Sequence, residues 1–439
     1  MMTHDHAERF MYYRRVIQQA ASLPLSIQQS FPIRHPPTPN QQRSEHIQTP
    51  MIDIPALRAD TPACERIVHF NNAGASLMPE PVYRTVIDHI KLERDIGGYE
   101  AESRAAGNLN AFYDNFAALL GVAADEIAYV ENATRAWDMA FYALPLNRGD
   151  RILTHESEYV SNYLGFLHHA KSRGIEIDLV PSDESGQIDV EAMARMVTAD
   201  TKLVAITHVP TQGGLVNPAA EVGRVTKEFG LTYLLDACQS VGQLRIDVQE
   251  IGCDILSGTG RKFLRGPRGT GFLYVSRAII DRLDPPFIDL RAANWLSATE
   301  YTLAHGARRF ENWESFVAGR LGLAKAVQYA LDIGMDEIEK RVVELAKTLR
   351  ERLSDIPGVT VRDRGERQCG IVTFDKQGES TDVLSSRLQQ HDINISISEI
   401  ASARLDFGDR GLQSLARASL HYFNTDHEIE RFCAAVENQ

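Results

Sequence analysis

From about residue 115 the sequence alternates short apolar runs with amphipathic stretches, and this alternation limits the fold more than any other feature of the chain. Ile127-Ala128-Tyr129-Val130, Arg151-Ile152-Leu153-Thr154, residues 175–180, residues 203–207 and Tyr233-Leu234-Leu235-Asp236 read as strands. Between them, residues 133–144, 160–173, 190–197 and 219–229 carry apolar side chains at three- and four-residue spacing and read as helices. Strand, helix and strand in repetition require crossover connections, hence an α/β fold with a mostly parallel sheet sandwiched by helices. Such sheets bind ligands at the carboxyl ends of their strands, so the residues that follow each run carry the functional information. After a last strand-like run at 269–276 the texture changes. Long helical stretches at 316–331 and 335–353 lead to short runs at 359–361, 370–374, 394–398 and 416–423, with helices from Thr381 and Asp426. That pattern predicts a smaller C-terminal α+β domain with largely antiparallel pairing. The expected division is a large domain over 51–310, with an N-terminal arm to about residue 80, and a small domain over 311–439.

Residues 1–50 stand apart, with six of the eighteen prolines and seven glutamines, and read as a poorly ordered extension. The 59 acidic and 46 basic residues leave a formal charge of −13, which argues against nucleic acid or an anionic membrane as principal partner. No run approaches the length of about 18 apolar residues that a membrane span needs. The five cysteines are scattered, form no CxxC pair, and exclude both a dense disulfide framework and a zinc knuckle. No metal site is expected, and a reducing, cytoplasmic location is.

Two stretches carry chemistry. Residues 257–271, Ser-Gly-Thr-Gly-Arg-Lys-Phe-Leu-Arg-Gly-Pro-Arg-Gly-Thr-Gly, hold five glycines and four cations between two strand-like runs. Glycines let backbone amides approach an anion and arginine supplies a planar donor fork, yet no Walker or dinucleotide fingerprint is present. A flexible cationic loop has the same composition. Upstream, Asp236 ends a buried strand in Leu234-Leu235-Asp236-Ala237-Cys238-Gln239-Ser240, where a carboxylate is expensive to ionise unless a cation faces it. A helix N-cap is the simpler explanation of that aspartate taken alone. Together with Lys262, however, it meets what pyridoxal phosphate requires: a lysine for the Schiff base and a carboxylate that keeps the ring nitrogen protonated.

These residues, with His69-Phe70-Asn71-Asn72-Ala73-Gly74-Ala75 and Leu415-Ala416-Arg417-Ala418-Ser419, occur in the order seen in a known family. From about Ile67 to the C-terminus the chain resembles the class V aminotransferase superfamily of fold-type I pyridoxal-phosphate enzymes, in its cysteine desulfurase and selenocysteine lyase-like group. The resemblance implies that Lys262 forms the Schiff base and serves as base at the substrate Cα. Asp236 would pair with the pyridine N–H, and Gln239 with the ring 3′ oxygen, with Thr211 nearby. Thr134, Arg135 and the helix amides beside them would bind the phosphate, Arg261 would add a cation, and Thr259 its hydroxyl. Arg417 would clamp the α-carboxylate of an amino-acid substrate, with Asn72 as a further substrate contact. Where the family commonly stacks a histidine on the ring, Val160 occupies the aligned position, but Tyr159 is the better stacker and is the expected residue.

One departure from the resemblance bears on function. Desulfurases of this group carry a nucleophilic cysteine shortly before the substrate arginine, whereas residues 395–404 read Ile-Ser-Ile-Ser-Glu-Ile-Ala-Ser-Ala-Arg. A C–S lyase acting by β-elimination on a cysteine derivative is therefore expected, with a class V aminotransferase or an amino-acid epimerase as alternatives and a catalytically silent relative as a fourth reading. Trp295, Trp313 and the segment 308–314 between sheet and small domain imply, through the resemblance, a homodimer with shared active sites.

Overall fold

The structure, a computed structural model, describes residues 52–438, so the extension expected over residues 1–50 lies outside it. The apolar runs form a seven-stranded sheet from β1 (Ile127–Val130), β2 (Arg151–His155), β3 (Glu176–Val180), β4 (Thr201–Thr207), β5 (Thr232–Asp236), β6 (Ile255–Thr259) and β7 (Gly271–Val275), in the spatial order β1-β7-β6-β5-β4-β2-β3. Strands β2 to β6 pair in parallel, and β7 runs antiparallel to both β6 and β1.

Both faces of the central strands of this sheet are dry. Leu203, Ala205, Leu234 and Ile255 point into one apolar cluster, while Val204, Ile206, Leu235 and Leu256 point into the other. Period-two alternation with apolar residues on both sides is what a sheet sandwiched by helices demands. Full burial of each large aliphatic side chain here contributes about 1.5–3 kcal/mol. The crossover helices begin and end on local signals: Asn132 accepts the Arg135 amide at 2.8 Å ahead of the helix Ala133–Phe141, and Gly174 and Gly230 take the left-handed C-cap after Val160–Arg173 and Ala219–Phe229.

A second, four-stranded sheet joins β8 (Val359–Val361), β9 (Ile371–Lys376), β10 (Ser396–Glu399) and β11 (Ser414–Ser419) in the order β8-β9-β11-β10, every pair antiparallel. The helix Met335–Ser354 buries Leu345, Ala346, Leu349 and Leu353 against it. The N-terminal arm belongs to this body as well, since Val68–His69 pairs in parallel with Ile393–Asn394 and Phe70 enters the same core. The helix Val317–Ile333 packs instead on Glu80–Ile96 and Ala106–Leu120. An exposed hairpin, Ala293–Ser297 with Glu300–Leu303, was not expected from the sequence. No helix among the described residues is long and apolar enough to cross a membrane.

One glycine ties fold to site. Gly242 has φ +97 and a Cβ there would lie 2.4 Å from the Phe263 carbonyl carbon, next to Lys262. Gly242→Ala combines a left-handed φ with a backbone clash and is expected to destabilise the chain by about 2 kcal/mol or more. Thermal denaturation checks this, and an unchanged melting temperature contradicts it.

Candidate active site

The carboxyl ends of β2, β4, β5 and β6, with the helix that follows β1, close around a cavity of about 450 Å³. Lys262, Asp236, Gln239, Thr211, Tyr159, Thr134 and Arg261 all line it, so seven side chains singled out in the sequence come together. Asp236 is the last residue of β5 and is buried. Its Oδ1 accepts the Cys238 amide at 2.8 Å and its Oδ2 accepts the Asn162 side-chain amide at 2.8 Å. Burial pushes its carboxyl pKa up, against the pull of those two donors and of Lys262. Lys262 reaches the same cavity from the turn after β6, and burial lowers its pKa, with Arg261 and Arg417 adding to the effect.

Around this pair runs a polar chain. Gln239 Nε2 donates to the Ala73 carbonyl at 3.1 Å and to Thr211 Oγ1 at 2.9 Å, and Arg417 Nη1 donates to Thr211 Oγ1 at 2.7 Å and to its carbonyl at 2.8 Å. Gln239 Oε1 and Arg417 Nε are buried without a partner in the protein. Burial lowers the Arg417 pKa to about 10, which makes an unpaired guanidinium a demanding guest for the interior and a ready partner for an incoming anion.

Arg417 reaches the cavity only through its contacts with Thr211, and three further expected site residues are placed elsewhere. Arg135 gives its amide to Asn132, and its guanidinium lies over the Phe287 ring, 5.0 Å from the centroid, outside the cavity lining. Thr259 donates to the Thr270 carbonyl and accepts from Arg261 Nη1 at 3.1 Å, so it orients Arg261 and does not line the cavity. Asn72 is fully buried and satisfied, donating to the His69 and Ser419 carbonyls and accepting from Ser76. It fastens the arm to β11, which carries Arg417. Tyr159, not Val160, lines the cavity.

The structure also adds residues that sequence reasoning passed over. Asn132 supplies the N-cap at the cavity edge and Asn162 holds Asp236. Cys238 lines the cavity together with Lys262. Burial raises the Cys238 pKa although Lys262 pulls it down, which keeps it a thiol. Glu158, behind the cavity, accepts from the Tyr159 amide at 2.9 Å, from Asn162 at 2.8 Å and from the Thr207 hydroxyl. Asn162 follows Glu158 by four residues, and that spacing at a helix start was the available signal.

The residues present fit pyridoxal phosphate. A lysine and a carboxylate share one small cavity, a capped helix N-terminus with a threonine hydroxyl opens onto it, and the buried Gln239 and Arg417 side chains keep polar atoms without a protein partner.

Comparison with known proteins agrees in fold and in sequence. A solved apo cysteine desulfurase from Thermococcus onnurineus NA1 superposes with a TM-score of 0.81 at 26% identity, covering 87% of this chain and 97% of that one. The cystine C–S lyase C-DES, solved with its product cysteine persulfide, superposes with a TM-score of 0.78 at 22% identity, over 86% of this chain and 99% of that one, and shares the fold. Fold and site together define a fold-type I pyridoxal-phosphate enzyme. A "Probable cysteine desulfurase" of Xylella fastidiosa (strain Temecula1) is 31% identical over 405 residues, covering 88% of this chain and 95% of its own. Residues 68–432 match the aminotransferase class-V family, and the chain belongs to that family as a cysteine desulfurase-like member.

Burial pushes the Glu158 carboxyl from an ordinary 4.5 to about 7, with Asp236 adding to the rise. The folded chain therefore holds a proton over that interval which the unfolded chain has released. The stability this group contributes is complete below its unfolded value and is lost as pH rises through its folded one. Relative to Glu158→Gln, the unsubstituted apoprotein is expected to lose melting temperature between about pH 5 and about pH 8. Parallel curves for the two proteins contradict the assignment.

Proposed function

We propose that the chain is a pyridoxal-phosphate-dependent C–S lyase that removes a sulfur group from Cβ of a cysteine derivative. The observation that carries this reading is the placement of thiols. Residues 395–404 form β10 and the short helical turns after it, with no cysteine among them. The cysteine at the cavity, Cys238, has its thiol pKa pushed up by burial. Cys369 is fully buried, its amide tied to the Gly214 carbonyl. A sulfur relay through an exposed thiolate thus has no residue on the loop where desulfurases keep one.

In this reading Lys262 would hold the cofactor and would take the Cα proton; burial lowers its pKa, the direction a base requires. Asp236 would pair with the ring nitrogen and Gln239 with the 3′ oxygen. The helix N-terminus at Ala133, the Thr134 hydroxyl and Arg261 would hold the phosphate. Tyr159 would pack against the ring, and Arg417 would exchange its contacts with Thr211 for the substrate carboxylate. When bound, the cofactor supplies an electron sink for the pair freed at Cα. With the Cα proton held on Lys262, the sulfur group would leave Cβ with its bonding pair, and hydrolysis of the remaining three-carbon enamine would give pyruvate and ammonia.

Two measurements test this. The protein loaded with pyridoxal phosphate is expected to show a visible absorbance band that Lys262→Ala lacks; a protein that gains no band contradicts the reading. Given cystine or an S-substituted cysteine, it is expected to release pyruvate. Alanine as the product supports desulfuration instead, and a sulfur-containing keto acid with pyridoxamine phosphate supports an aminotransferase.

We infer further that the protein is a homodimer. Phe287, Leu290, Trp295 and Leu296 are 63, 66, 84 and 61% exposed, an apolar surface that begins beside Arg135 at the phosphate end of the site. A second copy covering it would complete the mouth of the cavity. Light scattering is expected to give the dimer mass for the unsubstituted chain and the monomer mass for Trp295→Asp with Leu296→Asp; a monomeric unsubstituted protein overturns the inference.

A further inference from the structure

We propose that Glu158 is a positioning residue for Asp236, acting through Asn162 to fix the orientation of that carboxylate and, once a cation occupies the cavity, to place negative charge behind it. The proposal rests on the assignment of Asp236 to the ring nitrogen given above.

The geometry is a three-member chain in the interior. Asn162 Nδ2 has two protons, and both are used: one on Asp236 Oδ2 at 2.8 Å and one on Glu158 Oε1 at 2.8 Å. Asn162 and Glu158 are 2% and 5% exposed, so neither bond can be exchanged for water. Rotating the amide would leave two buried carboxylates each short of a donor, a costly arrangement in a low-dielectric site.

Glu158 has only neutral partners. The Thr207 hydroxyl, the Tyr159 amide and Asn162 converge on Oε1, and Thr154 Oγ1 stands 3.4 Å from Oε2. The one titratable group that faces it is Asp236. A buried carboxylate with no cation beside it, placed one amide away from a second buried carboxylate, is unfavourable in isolation. The pair becomes balanced when a cation sits on the far side of Asp236, where Asp236 lines the cavity. A protonated ring nitrogen is such a cation, and the second negative charge would hold its proton more firmly.

A purely structural role explains less. The first helical turn of Val160–Arg173 needs an acceptor for the Tyr159 amide, but Thr207 Oγ1 already offers one at 3.2 Å. A neutral side chain would serve that end, and a carboxylate adds only charge and the link to Asn162.

The test uses apoprotein prepared from the cofactor-loaded enzyme and titrated with pyridoxal phosphate, followed by visible absorbance. Glu158→Gln and Asn162→Ala are each expected to weaken binding about tenfold, the scale of one buried charge-assisted bond. The double variant is expected to bind no more weakly than Asn162→Ala alone, because the effect of Glu158 passes through Asn162. In Glu158→Gln the pH midpoint of the visible band is expected to move to lower pH, a change that a helix-capping role would not produce. Unchanged affinity and midpoint in Glu158→Gln, or losses that multiply in the double variant, overturn the proposal. Should Glu158→Gln fail to fold, Thr207→Val removes one donor from Glu158 without touching Asp236 and is expected to lower the midpoint as well; no shift overturns the proposal. Asp236→Asn separates the two levels. If it weakens binding while Glu158→Gln does not, the positioning role alone falls; if it too binds normally, the assignment of Asp236 falls and takes the proposal with it.

Discussion

A carboxylate buried at the end of the central strand is the constraint on which the rest of the site depends. Asp236 terminates β5, between β4 and β6, with no arginine paired to it among the described residues. The interior tolerates it because the Cys238 amide and Asn162 each give it a hydrogen bond and Lys262 stands across the cavity. Those three groups come from different connections. They meet because parallel strands deliver all their carboxyl ends to the same edge of the sheet. The apolar faces of β4, β5 and β6 therefore serve function through geometry: they fix where the strands end, and the ends fix where the charges lie.

Much of this architecture was legible in the alternation of apolar runs. The helices Val160–Arg173 and Ala219–Phe229 fall where three- and four-residue spacing puts them, and Gly174 and Gly230 mark their ends. The direction of β7 was not legible, because an apolar run bounded by glycines reads the same in either sense and one of its partners, β1, is distant in sequence. The hairpin at Ala293–Ser297 was hidden for a different reason. Its strands are exposed, so they lack the burial pattern that marks a strand in a sequence.

The site divides in the same way. Lys262, Asp236, Gln239 and Thr211 were recognisable because each lies at or just after the end of a strand, and the structure gathers them. Arg135, Thr259 and Asn72 entered through motif position, yet their polar groups are engaged within the protein, on Asn132 and Phe287, on Thr270 and Arg261, and on His69, Ser419 and Ser76. Glu158 and Asn162 were overlooked because a polar pair at the start of a helix has the appearance of solvent-facing residues. Only the tertiary fold shows that this turn of helix is covered. Arg265 illustrates the reverse case: one of four cations in the glycine-rich loop, it is buried against Tyr422 and Phe423 and bonded to Thr61, Leu77 and Tyr422, far from any anion-binding duty.

The most direct test of the account is where the cofactor attaches. Protein loaded with pyridoxal phosphate, reduced with borohydride and mapped by peptide mass spectrometry, is predicted to carry the pyridoxyl label on Lys262 alone. Label on another lysine, or none in a protein that binds the cofactor, would contradict the account at its centre.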